Sequence, residues 1–240
     1  MTEVERLAWD SEFFGVELGR VDLDDVDQAD LRRIDEQARD MGLKCLFGSV
    51  RPNVSDASVL AQAHGHRLVE VAIRFERRPG PYKPPPTTSV VRHGGPDDIP
   101  LLSDSLDGLA AASRFSVDDR FGPLAARRMH EAWVRRAVDE PGERFLAIAE
   151  DGDGVTGIST NVRTPVPRVD LMAVTKPGTG AAQAMMQALF EWGGDVTMEA
   201  GPCAARNLSV IRFVEGCGFR ACSTQYLFHR WLDDTSRVRA

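Results

Sequence analysis

The sequence predicts an α+β fold, in which a mixed central sheet flanked by helices is preceded by a smaller N-terminal α/β domain. Three observations support this fold class. Strand-like and helix-like segments alternate over the first part of the chain. Strand-like segments dominate the last part, around one glycine-rich turn, and a proline-rich segment separates the two parts.

The proline-rich segment is "RRPGPYKPPPTTS", residues 77–89, which holds five prolines. Proline lacks the amide donor of a strand ladder and favours extended backbone, so this segment is typical of a stiff linker. We therefore predict an N-terminal α/β domain at 1–78, a linker at 79–88, a larger domain at 89–234 and a tail at 235–240.

The N-terminal part predicts the order strand, helix, strand, helix, strand. The segments are "GVELGRVDL" (15–23), "QADLRRIDEQARDMG" (28–42), "KCLFGSVRP" (44–52), "SDASVLAQAHG" (55–65) and "RLVEVAIRFERR" (67–78). Apolar residues recur at helical spacing in the second segment and alternate in the last, and Gly42 and Gly65 are helix-stop signals. We expect Trp9, Phe13 and Phe14 to lie in the core of this domain.

The C-terminal part predicts a strand, a long helical region, and then strands interrupted by two helices. The strands are "TSVVRHG" (88–94), "RFLAIAED" (144–151), "GVTGISTNVR" (154–163), "RVDLMAV" (168–174), "DVTMEA" (195–200) and "STQYLFHRWL" (223–232). The helices are the region 96–140, "GAAQAMMQALFEWG" (180–193) and "NLSVIRFVEGCG" (207–218). Gly152 and Gly154 indicate a turn between two strands.

The composition argues against nucleic acid, membranes and metal ions as partners of this protein. The net charge of −7 argues against nucleic acid as the main partner, because affinity for a phosphate backbone comes from clustered Lys and Arg. No run approaches the roughly 18 apolar residues of a membrane span, so we expect a cytoplasmic protein that does not contact membranes. The four cysteines form no C-x-x-C pair, and only His229 stands near Cys217 and Cys222, so we expect no metal.

The glycine-rich turn "TKPGTGAA", residues 175–182, stands between a strand and an alanine-rich helix. Amides at such a helix start point into the turn and bind phosphate, with help from the helix dipole. The turn lacks the G-K-[ST] of a P-loop and the G-x-G-x-x-G of a dinucleotide site. A plain structural turn is the alternative.

Three segments together resemble the GNAT superfamily of acyl-CoA-dependent N-acyltransferases. They are the hairpin "FLAIAEDGDGVTGIS", the strand and turn "VDLMAVTKPGTGAA", and the helix "NLSVIRFVEGCGF"; the resemblance covers about residues 88–232. "WDSEFFGVELGRV" (9–21), "SRFSVDDRF" (113–121) and "STQYLFHRW" are most similar to the branch of dTDP-fucosamine acetyltransferase, which also has a smaller N-terminal α/β unit.

The resemblance implies that acetyl-CoA is the cosubstrate and that backbone groups at Leu171 to Val174 bind its pantetheine arm and polarise the thioester carbonyl. The residues it assigns to acyl-CoA are Met172, Ala173, Val174, Lys176, Gly178, Thr179, Gly180, Ala181, Ala182 and Asn207. The alternative role for Asn207 is a helix N-cap, and the two roles are compatible.

The chain departs from the family pattern at two positions. Pro177 stands where the family loop has Gln or Arg, in a turn about two residues short, and Lys176 is the candidate replacement for that charge. Val214 stands where many relatives have the Tyr that protonates the leaving thiolate. Either transfer proceeds without a dedicated acid, or Tyr226, His229 or Cys217 supplies the proton, or the chain runs a different reaction.

The amine also needs a base and a binding surface. Glu199 and Glu150 are the candidate bases. Arg114, Phe115 and Arg120 are the candidate substrate-binding residues, because a guanidinium pairs with phosphate or carboxylate and Asp118 and Asp119 attract an ammonium group. The alternative for this segment is a solvated charged turn whose Phe115 and Phe121 pack inward.

Two functions follow from the sequence. The first is a cytoplasmic, biosynthetic N-acetyltransferase acting on a small-molecule amine, either an aminosugar nucleotide or an amine intermediate of specialised metabolism. The second is a degenerate GNAT-fold protein that binds acyl-CoA or another ligand, or runs a different acyl-CoA reaction. Because relatives often form homodimers, the resemblance also implies a homodimer as one assembly.

Overall fold

The computed structural model describes residues 3–52, 56–233 and 235–238. Within these residues the strands are β1 (Glu5–Arg6), β2 (Leu18–Asp22), β3 (Cys45–Val50), β4 (Arg67–Arg77), β5 (Val90–His93), β6 (Arg144–Asp151), β7 (Gly154–Val162), β8 (Arg168–Val174), β9 (Met198–Ala204) and β10 (Arg220–Trp231). The α-helices are α1 (Ala8–Phe14), α2 (Gln28–Asp40), α3 (Ala57–Ala63), α4 (Ser103–Ala112), α5 (Gly122–Asp139), α6 (Ala181–Gly193) and α7 (Leu208–Gly216). Pro96–Leu102 and Arg114–Ser116 form 3₁₀ helices.

The chain divides into two compact units that are not consecutive in sequence. The first unit consists of Met1–Ala72, Arg114–Ala125 and Thr224–Ala240, and the second of Ile73–Ser113 and Ala126–Ser223. The predicted domain boundaries placed 114–125 and 224–234 with the C-terminal part. The division groups them with the N-terminal residues instead, because β10 pairs with β3 and residues 114–121 pack with Phe14 and Phe47. The domain boundaries remain a prediction.

The first unit is built on strands in the order β1-β2-β3-β10, with β2 and β3 parallel and β3 and β10 antiparallel. Helix α2 begins with a capping box, in which the Asp27 and Asp30 side chains accept each other's backbone N–H groups. Its predicted apolar face is buried through Leu31, Ile34 and Ala38, which join the main core of this unit.

Helix α1 and strand β1 were not predicted, because a seven-residue helix shows less than two periods of the apolar pattern. The prediction that three aromatic residues of this segment lie in the core is confirmed for Phe14, which is fully buried. It is wrong for Trp9, which is 48% exposed and stacks on the partly buried Phe13 with ring centroids 5.0 Å apart.

The second unit contains strands in the order β4-β9-β8-β7-β6-β5, to which β4 contributes its residues from Ile73 onward. The pairs β5–β6, β6–β7 and β7–β8 are antiparallel, and β8 and β9 are parallel. Helix α6 packs on one face, where Phe145, Ala147 and Ala149 of β6 point, and α4 and α5 pack on the other, where Leu146 and Ile148 point. The predicted fold class, a mixed sheet flanked by helices, is confirmed.

The described part of the proline-rich segment forms no helix or strand from Arg78 to Ser89.

In the part of the chain that the structure describes, no helix is both long enough and apolar enough to cross a membrane.

Candidate functional site

The edge of β8 that faces β9 is open over most of its length. Parallel pairing between the two strands is confined to Arg168 with Glu199 and Val169 with Ala200. From 170 to 174, the described residues of β9 provide no further partners for β8. The two strands therefore separate at the carboxyl end of β8, which is where ligands bind in open α/β sheets.

The alternation of a strand fixes which backbone groups face this opening. The Thr175 N–H donates to the Thr156 carbonyl of β7 at 3.0 Å. Because successive residues of a strand point their backbone groups to opposite sides, Ala173 also faces β7, where it pairs with Ile158. The N–H and C=O groups of Met172 and Val174 consequently face the open edge, where they are available to a ligand.

The turn after β8 depends on its glycines for two different reasons. Gly178 has φ +88° and Gly180 has φ +79°, the left-handed region that glycine adopts without strain. Gly178 has open space around it. A Cβ on Gly180 would lie 2.4 Å from the Oγ1 of Thr87, so this position also requires glycine for a close approach.

Two hydroxyls hold the turn against the proline-rich segment. The Thr87 and Ser89 Oγ atoms donate to the Thr179 carbonyl at 3.0 and 3.2 Å. Sequence reasoning missed both residues, because they lie 92 and 90 residues from Thr179 and no local spacing links them.

Helix α6 begins directly after this turn. Its first intrahelical hydrogen bond is donated by Ala184 to the Gly180 carbonyl at 3.0 Å. The amides of 181–183 precede this bond, and among the described residues only that of Ala181 has a weak contact, 3.4 Å to the Thr179 Oγ1. These donors and the positive end of the helix dipole suit a phosphate group.

Lys176 has carboxylate partners in this structure. Its Nζ lies 2.6 Å from the Oδ2 of Asp153, on the turn between β6 and β7, and 3.0 Å from the Oδ2 of Asp151, the last residue of β6. The hydrogen bonds to Asp153 and Asp151 raise the pKa of Lys176. A ligand phosphate would therefore compete with two carboxylates for this ammonium group, and the role of Lys176 as the replacement cation of the loop remains a prediction.

Asn207 is the N-cap of α7. Its Oδ1 accepts the Val210 N–H at 3.2 Å, which is the structural role considered for it. Among the described residues, none accepts a hydrogen bond from its side-chain NH₂, so this group can still donate to a ligand. The predicted acyl-CoA contact of Asn207 remains a prediction.

The two candidate bases of the second unit differ in how they are paired. The Glu150 carboxylate accepts a hydrogen bond from Arg92 at 2.8 Å, on the outer part of the sheet where β5 meets β6. The Glu199 carboxylate is about one-third exposed and lies 3.9 Å from Arg74, a looser ion pair. Glu199 is thus the more loosely paired of the two candidate bases.

Val214 is 3% exposed and packs with Phe75, Met186 and Phe219 in the core beneath α6 and α7. A valine cannot donate a proton, and this position is a packing position. The tyrosine acid that the sequence resemblance implies therefore has no counterpart at this point of α7.

The predicted substrate residues lie in the first unit. Phe115 is 2% exposed and packs on Phe14 and Phe121, as the inward-packed alternative expected. The Arg114 guanidinium lies over the rings of Phe47 and Phe115 at 5.4 and 4.7 Å, and burial lowers the pKa of Arg114. Its buried Nε has no hydrogen-bond partner among the described residues.

The Arg120 side chain contacts two residues near the C-terminal end of the chain. Its Nη1 donates to the Asp233 carbonyl at 2.6 Å, and its guanidinium lies 4.9 Å from the ring centre of Trp231. Assignment of Arg114, Phe115 and Arg120 to substrate binding remains a prediction.

A buried Asp–His pair lies beside these residues. The Asp118 Oδ2 accepts the Nδ1–H of His229 at 2.8 Å and the Nε1–H of Trp231 at 2.9 Å. Burial alone would raise the pKa of Asp118, but the hydrogen bonds from His229 and Trp231 outweigh it and lower the pKa to about 2. Burial lowers the pKa of His229. Near neutral pH the aspartate is therefore ionised and the imidazole neutral.

This pair fixes the tautomer of His229. Because an ionised carboxylate only accepts hydrogen bonds, the proton lies on Nδ1 and the Nε2 carries a lone pair. The Nε2 is buried and has no partner among the described residues. His229 was predicted as a candidate acid, whereas this protonation state is that of a base. Asp118 lies 111 residues from His229, so no local motif signalled the pair.

Tyr226 lies on β10 opposite Val50 of β3 and packs partly buried against the main core of the first unit.

Among the described residues, no group of three or more His, Cys, Asp and Glu side chains is arranged to hold a metal ion.

Comparisons with known proteins show which solved structures share this fold. No family model and no curated protein matches the sequence. A GCN5-related N-acetyltransferase from Sphaerobacter thermophilus is similar with 13% identity and a TM-score of 0.62, over 98% of this chain and 78% of that one. A GCN5-related N-acetyltransferase from Kribbella flavida has 14% identity and a TM-score of 0.55, over 89% and 80% of the two chains.

A tandem GNAT protein from the clavulanic acid biosynthesis pathway has 13% identity and a TM-score of 0.53, over 92% of this chain and 77% of that one. At such low identity the likeness concerns the fold. The chain has the fold of the GCN5-related N-acetyltransferases.

Proposed function

We propose that this chain is an acyl-CoA-dependent N-acyltransferase, which transfers an acetyl group to the amine of a small molecule. The observation that carries the proposal is the open edge of β8, which leads directly into the glycine turn and the start of α6. The GNAT fold of the solved neighbours supports the same assignment.

The residues of the second unit fit an acyl-CoA in three places. The backbone groups of Met172 and Val174 face the open edge and would pair with the amide groups of the pantetheine arm. The amides from Gly178 to Ala182 would hold the pyrophosphate, and the NH₂ group of Asn207 is a further donor. Apart from the Ala181 amide, which weakly contacts the Thr179 Oγ1, each contact uses a group that the described part of the protein leaves available.

Acyl-CoA supplies an activated acyl group: the amine nitrogen attacks the thioester carbon, the carbon–sulfur bond breaks, and the thiolate takes up a proton. A backbone N–H of Met172 or Val174 at the open edge would stabilise the negative charge that develops on the carbonyl oxygen. The amine arrives protonated at neutral pH, so a base must first accept its proton.

The proton transfers need a base for the amine and an acid for the leaving thiolate. Glu199 is the candidate base of the second unit, because its carboxylate is only loosely paired. His229 has the tautomer of a base, and Tyr226 and Cys217 are the remaining candidate acids. Because a dedicated acid contributes only about 10²- to 10⁴-fold, a thiolate that leaves without one is compatible with slow turnover.

For the amine we propose an aminosugar nucleotide of the kind used by the dTDP-fucosamine acetyltransferase branch, with Arg114, Phe115 and Arg120 as its contacts. The support is the sequence resemblance and the unpartnered, buried Nε of Arg114, which suits an anionic group. An amine intermediate of specialised metabolism is the alternative. The homodimer and the cytoplasmic location stay predictions, which size-exclusion chromatography and fractionation of the source cells address.

The test has two stages. A thermal-shift assay with acetyl-CoA comes first, because a ligand at about 100 times its dissociation constant stabilises a protein by roughly 2.7 kcal/mol. Thiol release with a panel of amines and sugar nucleotides follows, with Glu199→Gln compared against Glu191→Gln on the exposed side of α6. The proposal expects a shift and acetylated product, and a loss of rate confined to Glu199→Gln identifies the base. The absence of a shift with any acyl-CoA refutes the proposal.

The second candidate is a degenerate GNAT fold that binds a ligand without acyl transfer. The pairing of Lys176 with two aspartates and the buried Val214 favour it. A thermal shift with acetyl-CoA but no thiol release with any amine would support this candidate, whereas turnover with one amine would exclude it.

A further inference from the structure

A cavity in the second unit is lined by no residue of β8. It has a volume of about 790 Å³ and is formed by the end of β4, the start of the proline-rich segment and the connection from α7 to β10. Its lining includes Arg77, Arg78, Tyr82, Lys83, Cys217 and Arg220. A volume of this size is within the range of small-molecule sites.

The charge of the cavity is strongly positive for a chain of net charge −7. Four cations line it, Arg77, Arg78, Lys83 and Arg220, against a single carboxylate, Glu76. Among the described residues, none of these cations forms an ion pair within 4.0 Å of a carboxylate. Elsewhere in this acidic protein cations are commonly paired, as Arg92 is with Asp98 and Glu150.

Two of the four cations are fixed in place by backbone carbonyls. The Nη2 of Arg77 donates to Gly80 and Pro81, and its guanidinium lies 4.5 Å from the ring centre of Phe190. Arg220 donates to the carbonyls of Glu215 and Phe219, which offsets the negative end of the α7 dipole. Arg78 and Lys83 are exposed, so their long side chains can turn toward a ligand.

The contact of the Tyr82 hydroxyl with the Cys217 sulfur at 3.5 Å holds the proline-rich segment against the end of α7. This end of the helix is the opposite one from Asn207, about 13 Å away for nine residues at 1.5 Å each. The cavity shares no lining residue with the proposed acyl-CoA site.

We infer that this cavity binds a small anion carrying two or more phosphate groups, such as a nucleoside diphosphate or triphosphate. Several unpaired cations around one space repel each other, and a multivalent anion neutralises them together. Arginine favours phosphate because its planar donors bind two oxygens at once. A single-charge anion would satisfy too few of the four cations to bind well.

The experiment is a calorimetric titration with pyrophosphate, orthophosphate and ATP at constant ionic strength. The variant Arg78→Gln/Lys83→Gln removes the two exposed cations and leaves the fixed pair. The matched control is Arg212→Gln, an exposed arginine of α7 outside the cavity. Urea denaturation shows that all variants fold. Because pyrophosphate can also bind the glycine turn of the proposed acyl-CoA site, the loss of affinity in the double variant, and not binding alone, reports on the cavity.

We expect saturable binding of pyrophosphate and ATP, weaker binding of orthophosphate, and an affinity at least about ten-fold lower in the double variant, because charge-assisted hydrogen bonds are lost. The control should stay within about two-fold of the wild type. No saturable binding at millimolar pyrophosphate, or equal losses in the double variant and the control, would overturn the inference.

Discussion

Replacing Gly180 with alanine tests how the glycine turn is built. At φ +79°, an L-residue costs about 1 kcal/mol more than glycine. The new Cβ would also lie 2.4 Å from the Oγ1 and 2.6 Å from the Cβ of Thr87, distances that no relaxed structure keeps. Thr87 must therefore move away.

The movement of Thr87 has its own cost. Its hydroxyl donates to the Thr179 carbonyl and accepts the Ser89 N–H, both at 3.0 Å. Each of these hydrogen bonds contributes about 1 kcal/mol, so Gly180→Ala should lower the free energy of unfolding by about 3 kcal/mol in total. The start of α6 shifts with the turn, and the loss of one amide contact to phosphate should weaken acetyl-CoA binding about ten-fold or more.

Gly178→Ala is the matched control, because Gly178 has a similar φ of +88° but a Cβ added there would meet no atom within 4 Å. It should lose only the backbone contribution, about 1 kcal/mol. Thr87→Gly in the Gly180→Ala background removes the clash, so the two substitutions should be non-additive. Urea denaturation measures the stabilities and calorimetry the affinities. Equal destabilisation by the two alanine variants would show that the close approach of Thr87 does not contribute to the requirement for glycine at 180.

Three further predictions concern stability and are measured by urea denaturation. Val214→Tyr should overpack the core and lose about 1–3 kcal/mol, and an unchanged stability would show that this position has room for a ring. Asp118→Asn should lose about 3 kcal/mol by weakening two buried charge-assisted hydrogen bonds, while the exposed neighbour Asp119→Asn changes stability by under about 0.5 kcal/mol; similar losses would contradict the buried pair. Burial lowers the pKa of His66 from 6.5 to about 4. The unfolded chain then binds more protons between these values, so stability should fall by about 2 kcal/mol from about pH 7.5 to about pH 5, and His66→Leu should lack this part of the fall.

The sequence predicted most of the second unit because its elements are defined by local patterns. The continuous apolar run of β6 indicates a strand buried on both faces, and α6 and α7 show clear helical periodicity. The glycine turn and the strand before it were also identified correctly, because glycine and proline mark turns by their own backbone preferences.

The remaining features depend on contacts that local patterns do not encode. Thr87 approaches Gly180 from the proline-rich segment, and Asp118 reaches His229 across 111 residues. The grouping of 114–125 with the N-terminal residues has the same origin, because aromatic packing and strand pairing are decided by the folded chain. The protonation state of His229 likewise follows from its burial and from its partner.

Amide hydrogen exchange at β8, followed by NMR with and without acetyl-CoA, tests whether the open edge of β8 binds acyl-CoA. The amides of Met172 and Val174 face the open edge, whereas Ala173 faces its strand partner on β7. We predict that acetyl-CoA slows amide exchange at Met172 and Val174 and leaves the exchange rate of the already protected Ala173 nearly unchanged. Unchanged exchange at Met172 and Val174 with saturating acetyl-CoA would contradict binding at the open edge.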